Sequence, residues 1–181
     1  MLSEDIEGNT KLVQQFINDH PGCHLRQVRK ELGISMGTAQ YHLARLEKSG
    51  RITSNRRGLF KYYFPIGLFQ DNEKNLLEVL SQETAREILM FIIEQKAPTQ
   101  TDIVDRIGVS PASISWHVSR LAEFGIITEV KEGKYKRYQL QGDPKSLISL
   151  MKSYYPSLWD RWSNRLAEMF LSMSPAEEKE S

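Results

Sequence analysis

A chain of 181 residues, 40% of them hydrophobic, allows one or two domains, and no apolar run in it approaches the length of a membrane span. The acidic, polar start MLSEDIEGNT excludes a signal peptide, and the single cysteine, Cys23, excludes an intrachain disulfide and fits a reducing cytoplasm. The net charge of +1 is unevenly divided: residues 1–70 hold 10 Lys and Arg against 6 Asp and Glu, the remainder 14 against 17, so a phosphate-facing surface belongs in the first part.

In chain order, Met1 to Gly8 are polar and expected to fray, and Asn9 or Thr10 can cap a helix through Leu12, Val13, Phe16 and Ile17. His20-Pro21-Gly22 stops it. A second helix from about His24 to Leu32 turns Arg26, Arg29 and Lys30 outward, as DNA-backbone contacts or as a solvated face. Gly33 suits a left-handed cap, and Ser35 can cap a third helix that buries Ala39, Leu43 and Leu46 at helical spacing. Gly50 ends that helix. Residues Ile52 to Ser54 and Leu59 to Phe64 then read as a hairpin with Gly58 in its turn.

The pattern breaks from Pro65 to Asp71, and a connector helix follows through Leu76, Leu77, Val79 and Leu80. Thr84 is expected to cap a helix whose run Ile88 to Ile93 is apolar nearly all round, and so buried on more than one side. Ala97-Pro98-Thr99 ends it. A second helix-turn-helix runs from Thr101 to Phe124, with Ser110 as cap, Pro111 at the first helical position and Ile114, Val118 and Leu121 inward. Its wing lies at Glu129 to Lys134. Asp143-Pro144 starts a helix that Pro156 interrupts, and Ser157 is expected to cap the last one. Trp159, Trp162, Leu166, Met169 and Phe170 form a stripe there, for internal packing or a dimer seam. The charged tail after Ser174 reads as disordered.

The two helix-turn-helix stretches are copies of one module. At an offset of 75 residues, eleven positions between Gly33 and Pro65 recur without a gap, among them Gly33/Gly108, Ser35/Ser110, His42/His117, Arg45/Arg120, Gly58/Gly133 and Lys61/Lys136. The expected fold is mostly α with β wings. Residues 1–68 would form one winged helix-turn-helix, 69–81 a helical connector, 82–142 the second module, 143–174 C-terminal helices and 175–181 the tail.

Advancing ~100° per residue places Gly37, Tyr41, Ala44 and Lys48 opposite the buried stripe of the third helix. Thr38, Gln40 and Arg45 fall on its flanks. In a helix-turn-helix this face enters the major groove. Gln40 suits adenine, Tyr41 a thymine methyl or a phosphate, and Arg45, Lys48 and Lys61 suit phosphates. Arg56 and Arg57 in the wing tip can reach backbone or minor groove. In the second module the outward face carries Ala112, Ser115, Trp116, Ser119 and Glu123. Ser113, Ser115, Trp116, Arg120, Lys131 and Lys134 are candidates for a DNA or a protein contact. Acidic Glu129 and Glu132 in its wing disfavour phosphate.

His20, Cys23 and His24 do not match the paired spacings of a zinc site, so no metal or other cofactor is expected. His42 and His117 read as hydrogen-bonded, half-buried histidines. No nucleophile with a nearby base and no phosphate-cradling glycine loop occurs, so the sequence does not read as an enzyme.

The pattern GIS-x-GT-x-x-YHL-x-x-LE-x-x-G-x-I, followed by a wing ending K-x-Y-F-P, resembles the tandem winged-helix transcriptional regulators common in archaea, related to the ArsR and MarR superfamilies. The resemblance extends over the second module and the YYPSLWDRW segment. It implies binding to double-stranded DNA; the basic charge of the first module points to the helix at 35–49 and its wing as the main reader, and the C-terminal stripe to a homodimer. It departs from metal-sensing ArsR members in having one cysteine. The alternative is a scaffold whose tandem winged helices bind proteins, and fold alone does not separate the two.

Overall fold

The computed structural model describes residues 2–142, 144–160 and 162–163. The chain divides into two compact units, Met1–Ser81 and Gln82–Ser181.

In the first unit the order is α1 (Leu2–Asp19), β1 (Cys23–His24), α2 (Leu25–Leu32), α3 (Met36–Lys48), β2 (Ile52–Arg57), β3 (Phe60–Pro65) and α4 (Asp71–Leu80). Val13, Ile17, Val28, Ala39, Leu43, Leu46 and Ile52 meet in one core. Helix α1 begins at Leu2 rather than at Asn9 or Thr10, and Thr10 lies buried inside it. No proline stands before Thr10 to stop the helix from continuing backwards. His24 caps α2 instead of starting it, its Nδ1 accepting from the Gln27 amide. Ser35 caps α3, its Oγ accepting from Thr38 N at 3.0 Å.

The wing has longer strands than its sequence suggests. Strand β2 runs through Arg57, pairing Arg56 with Lys61 and Arg57 with Phe60. The tip therefore narrows to Gly58-Leu59, with Gly58 at φ 57°, and Arg56 and Arg57 belong to the ladder rather than to a flexible tip. A third strand not evident in the sequence, β1, completes the sheet in the order β1-β3-β2 through Cys23–Tyr63 and His24–Tyr62.

Helix α4 is built into the first unit rather than standing apart as a connector. It buries Leu77, Glu78, Val79 and Leu80. Gly22, at φ 84°, lies so close to it that a Cβ there would sit 2.9 Å from the Leu77 carbonyl carbon.

The second unit repeats the plan with α5 (Glu83–Gln95), α6 (Gln100–Ile107), α7 (Pro111–Glu123), β4 (Ile127–Glu132), β5 (Tyr135–Leu140) and α8 (Pro144–Tyr154). Helix α5 starts after Gln82, ahead of Thr84, and buries Ala85, Ile88, Leu89, Met90, Ile92 and Ile93. Thr99 caps α6 in a box with Asp102. The place of β1 is taken by a single bridge, Thr99 to Arg137. After α8 the chain is helical again at 156–160, so Pro156 opens this helix and Ser157 lies inside it. Leu158 N and Trp159 N both donate to the Tyr155 carbonyl. Asp143, Leu166, Met169, Phe170 and the tail lie outside the described residues. No described helix is long and apolar enough to cross a membrane.

Candidate nucleic-acid interface

Helix α3 separates its two faces as the spacing requires. Ala39, His42, Leu43 and Leu46 are buried, whereas Gly37, Gln40, Tyr41, Ala44, Arg45 and Lys48 are exposed. Thr38 is half-buried, and its hydroxyl lies 2.8 Å from Ser35 Oγ. The side chains of Arg45, Lys48 and Arg56 make no hydrogen bond or ion pair among the described residues, so their charges face solvent uncompensated. Arg26, Arg29 and Lys30 of α2 are exposed as well.

Strand pleating sends successive wing residues to opposite faces. Arg56 is exposed on the side of α3 and helps line a cleft of about 550 Å³ between helix and wing, with Gln40, Ala44, Glu47, Phe60 and Lys61. Arg57 points the other way, where its guanidinium donates to Asn75 Oδ1 at 3.0 Å and stands 3.8 Å from the Glu78 carboxylate on α4. Lys61 is also engaged, donating to Glu47 Oε2 at 2.7 Å. Neighbouring positions 56 and 57 therefore do different jobs, a difference that only the register reveals.

In the second unit Ala112, Ser115, Trp116, Ser119 and Glu123 are exposed on α7, and Ser113 is half-buried. Trp116 is 50% exposed and its ring packs under the Arg120 guanidinium at 5.2 Å, which also meets Phe124 at 5.3 Å. Lys131 and Lys134 are exposed, Lys134 over the Tyr135 ring. Glu129 and Glu132 pair with Lys136 and Arg137, so the acidic groups of this wing are balanced within it.

The two histidines differ. His42 is buried and its Nδ1 lies 2.9 Å from the Thr10 hydroxyl. The position equivalent to Thr10 is Ala85, and His117 Nδ1 is buried without a hydrogen-bond partner among the described residues. Burial, and then Arg45 or Arg120, lowers the pKa of each ring. Cys23 is buried among core residues and its thiol is pushed up to about 12, which makes it a packing group rather than a reactive thiolate. No cluster of three metal-ligating side chains occurs among the described residues. Trp159 and Trp162 of the C-terminal stripe are half-buried, and Lys152 lies over the Trp159 ring.

Two capped helix-turn-helix units, each followed by a β hairpin, define a tandem winged helix-turn-helix protein. Two family models match in sequence: residues 8–77 match the family described as an N-terminal HTH domain, and residues 81–128 match the family described as winged helix-turn-helix DNA-binding. It is 28% identical over 121 residues to an uncharacterized HTH-type transcriptional regulator of Methanocaldococcus jannaschii, covering 67% of this chain and 30% of that one. It is 29% identical over 75 residues to a probable mercury resistance operon repressor of Streptomyces lividans, covering 41% of this chain and 58% of the repressor. The chain thus spans less than two thirds of either relative. Among solved structures it is similar to an ArsR-like transcriptional regulator from Rhodococcus sp. RHA1, with 24% identity and a TM-score of 0.39 over 58% of this chain and 94% of that one. HlyU from Vibrio cholerae is similar at 20% identity and a TM-score of 0.41, over 46% and 91%.

Proposed function

We propose that the chain is a sequence-specific, double-stranded DNA-binding transcriptional regulator that reads the major groove mainly with α3 and its wing. The observation that carries this reading is the solvent-facing row on α3, where Gln40 and Tyr41 stand beside uncompensated Arg45 and Lys48, with Arg56 exposed on the adjoining wing. Polar and aromatic groups at the N-terminal end of such a helix can reach base edges, while the flanking cations hold phosphates. The domain plan is that of the two units, with residues 69–81 acting as part of the first. Dimerisation through the C-terminal stripe would place equivalent α3 helices on the two halves of a near-palindrome.

The second unit has a different surface, with exposed Trp116 and Glu123 where the first has Tyr41 and Lys48. That favours a protein contact for α7, in the same chain's dimer or with another protein. Binding-site selection from a random duplex pool with the full chain tests the reading. Convergence on one motif, with retention falling steeply as salt rises, is the expected result. Recovery of no motif above the starting pool rejects it.

A further inference from the structure

One acidic side chain lies in the basic cleft between α3 and the wing. Glu47 stands in the last turn of α3, and its two carboxylate oxygens reach both wing strands. Oε1 accepts from the Ser54 hydroxyl of β2, and Oε2 accepts from Lys61 Nζ of β3 at 2.7 Å. Ser54 pairs with Tyr63 and Arg56 with Lys61, so Ser54, Arg56 and Lys61 share one face of the hairpin. The carboxylate grips the same face that presents Arg56. Burial works to raise the Glu47 pKa, but the bonds from Lys61 and Ser54 outweigh it, so the carboxyl titrates below its ordinary value and stays ionised at neutral pH.

The second unit lacks this tie. At the offset of 75 residues Ala122 replaces Glu47, Glu129 replaces Ser54 and Lys136 corresponds to Lys61. The carboxylate has moved from the helix to the hairpin, where Glu129 and Lys136 lie 3.0 Å apart within the wing itself. An alanine side chain cannot accept from the wing.

We infer that Glu47 is a positioning residue which locks the first wing to the recognition helix, so that Gln40, Tyr41 and Arg56 meet DNA as one rigid reader. This rests on the proposed DNA reading of the first unit. Arg57 ties the other face of this wing to α4, but the face that presents Arg56 is fixed to α3 through Glu47, and a face fixed beforehand gives up less conformational freedom on binding. Ala122 leaves the second wing without that preorganisation, consistent with a different task for the second unit.

The test exploits a conflict of sign. Glu47→Ala removes a negative charge beside the phosphates, so electrostatics alone gives tighter binding and an equal or steeper salt dependence. Loss of the tie gives the opposite. Affinity for the duplex recovered by selection should fall roughly threefold to tenfold, and the slope of log K against log salt should shrink by about one as Arg56 disengages. Base preference under α3 should persist. Glu47→Gln keeps an acceptor and should fall between the two. The charge-reversed pair Glu47→Lys with Lys61→Glu restores the ion pair at unchanged net charge and should recover most of the affinity. These are measured on the full chain by anisotropy of a labelled duplex, with thermal melts confirming folding; should Glu47→Ala not fold, Glu47→Gln and the reversed pair decide. Binding by Glu47→Ala as tight as the unaltered protein, or a reversed pair no better than Lys61→Glu alone, overturns the tie. Failure of the unaltered protein to prefer any duplex instead rejects the DNA reading itself, and the tie's role with it.

Discussion

Arg57 holds its guanidinium 3.8 Å from the carboxylate of Glu78, a side chain with no exposure at all, and donates to Asn75 Oδ1 on the same helix. This links the wing to α4, and it separates two arginines that are adjacent in sequence. Removing the cation beside a buried carboxylate is destabilising by ~3–5 kcal/mol when both are buried. Because the Arg57 side chain is 39% exposed, we expect Arg57→Ala to cost about 2 kcal/mol, discounted for solvent. Arg56→Ala should leave stability within about 0.5 kcal/mol and instead reduce the salt slope of DNA binding by about one. Urea denaturation and duplex titration of both variants check the pair of outcomes. Equal effects of the two substitutions on stability would count against the assignment.

Gly22→Ala probes the same region from the other side. The residue sits at φ 84°, and its Cβ would fall 2.9 Å from the Leu77 carbonyl carbon and 3.1 Å from the Glu78 amide nitrogen. Left-handed strain of about 1–2 kcal/mol adds to a backbone overlap that costs a further ~1–3 kcal/mol. The expected destabilisation is about 3 kcal/mol, summing these two effects, and is read from the urea midpoint. Gly33→Ala, left-handed but with open space around it, should show only the first part. Comparable effects at the two glycines would mean that α4 can yield.

Much of this architecture was legible because the chain states it twice. Gly33, Ser35, Leu46 and Gly50 recur at one offset as Gly108, Ser110, Leu121 and Gly125, and caps plus helical spacing are local signals that survive without tertiary context. The exposed faces of α3 and α7 followed from the same periodicity. What the sequence did not reveal depends on partners far along the chain. Cys23–His24 is too short to show a strand pattern, and its pairing with Tyr63 and Tyr62 spans about forty residues. The register that sends Arg56 to solvent and Arg57 to Glu78 turns on where β2 ends, the least local property of a hairpin. Glu47 carries no local signal of its role, because its partners, Ser54 and Lys61, lie on the next two strands.

The burial of His42 predicts an acid response. Burial first, and Arg45 second, hold the His42 pKa below the ordinary 6.5. The unfolded chain therefore takes up the proton more readily, and this contribution to stability is fully present above pH 6.5 and declines as pH falls through the folded value. His24 and His117 are shifted in the same direction, burial leading in each case. The urea midpoint should fall between about pH 7.5 and about pH 5.5, and less steeply in His42→Gln. Thr10→Ala should cost about 1–2 kcal/mol at neutral pH by leaving a buried ring nitrogen unsatisfied. A midpoint that is flat across this range, or one that rises on acidification, would reject the assignment.

The unequal faces of α3 and α7 give the sharpest contrast. Tyr41 and Trp116 occupy equivalent positions, are 53% and 50% exposed, and each meets the following histidine edge-on, at 5.2 and 4.8 Å between ring centroids. The scaffold presents them alike, so their neighbours decide their use. Tyr41 stands beside Gln40 and shares its face with Lys48, whereas Trp116 stands beside Ser115, shares its face with Glu123 and packs against Arg120. An aromatic among cations suits a phosphate-lined groove; one shielded by its own arginine next to an acid suits a protein surface. Gln40→Ala and Tyr41→Ala should each relax preference at one base position, and removing a bidentate adenine pair at Gln40 should cost ~1–3 kcal/mol. Trp116→Ala should leave base preference intact and change the oligomeric state or the affinity for a protein partner. Binding-site selection on the three variants, with sedimentation in parallel, separates these outcomes. If preference moves with Trp116 and not with Gln40 or Tyr41, the second unit is the reader.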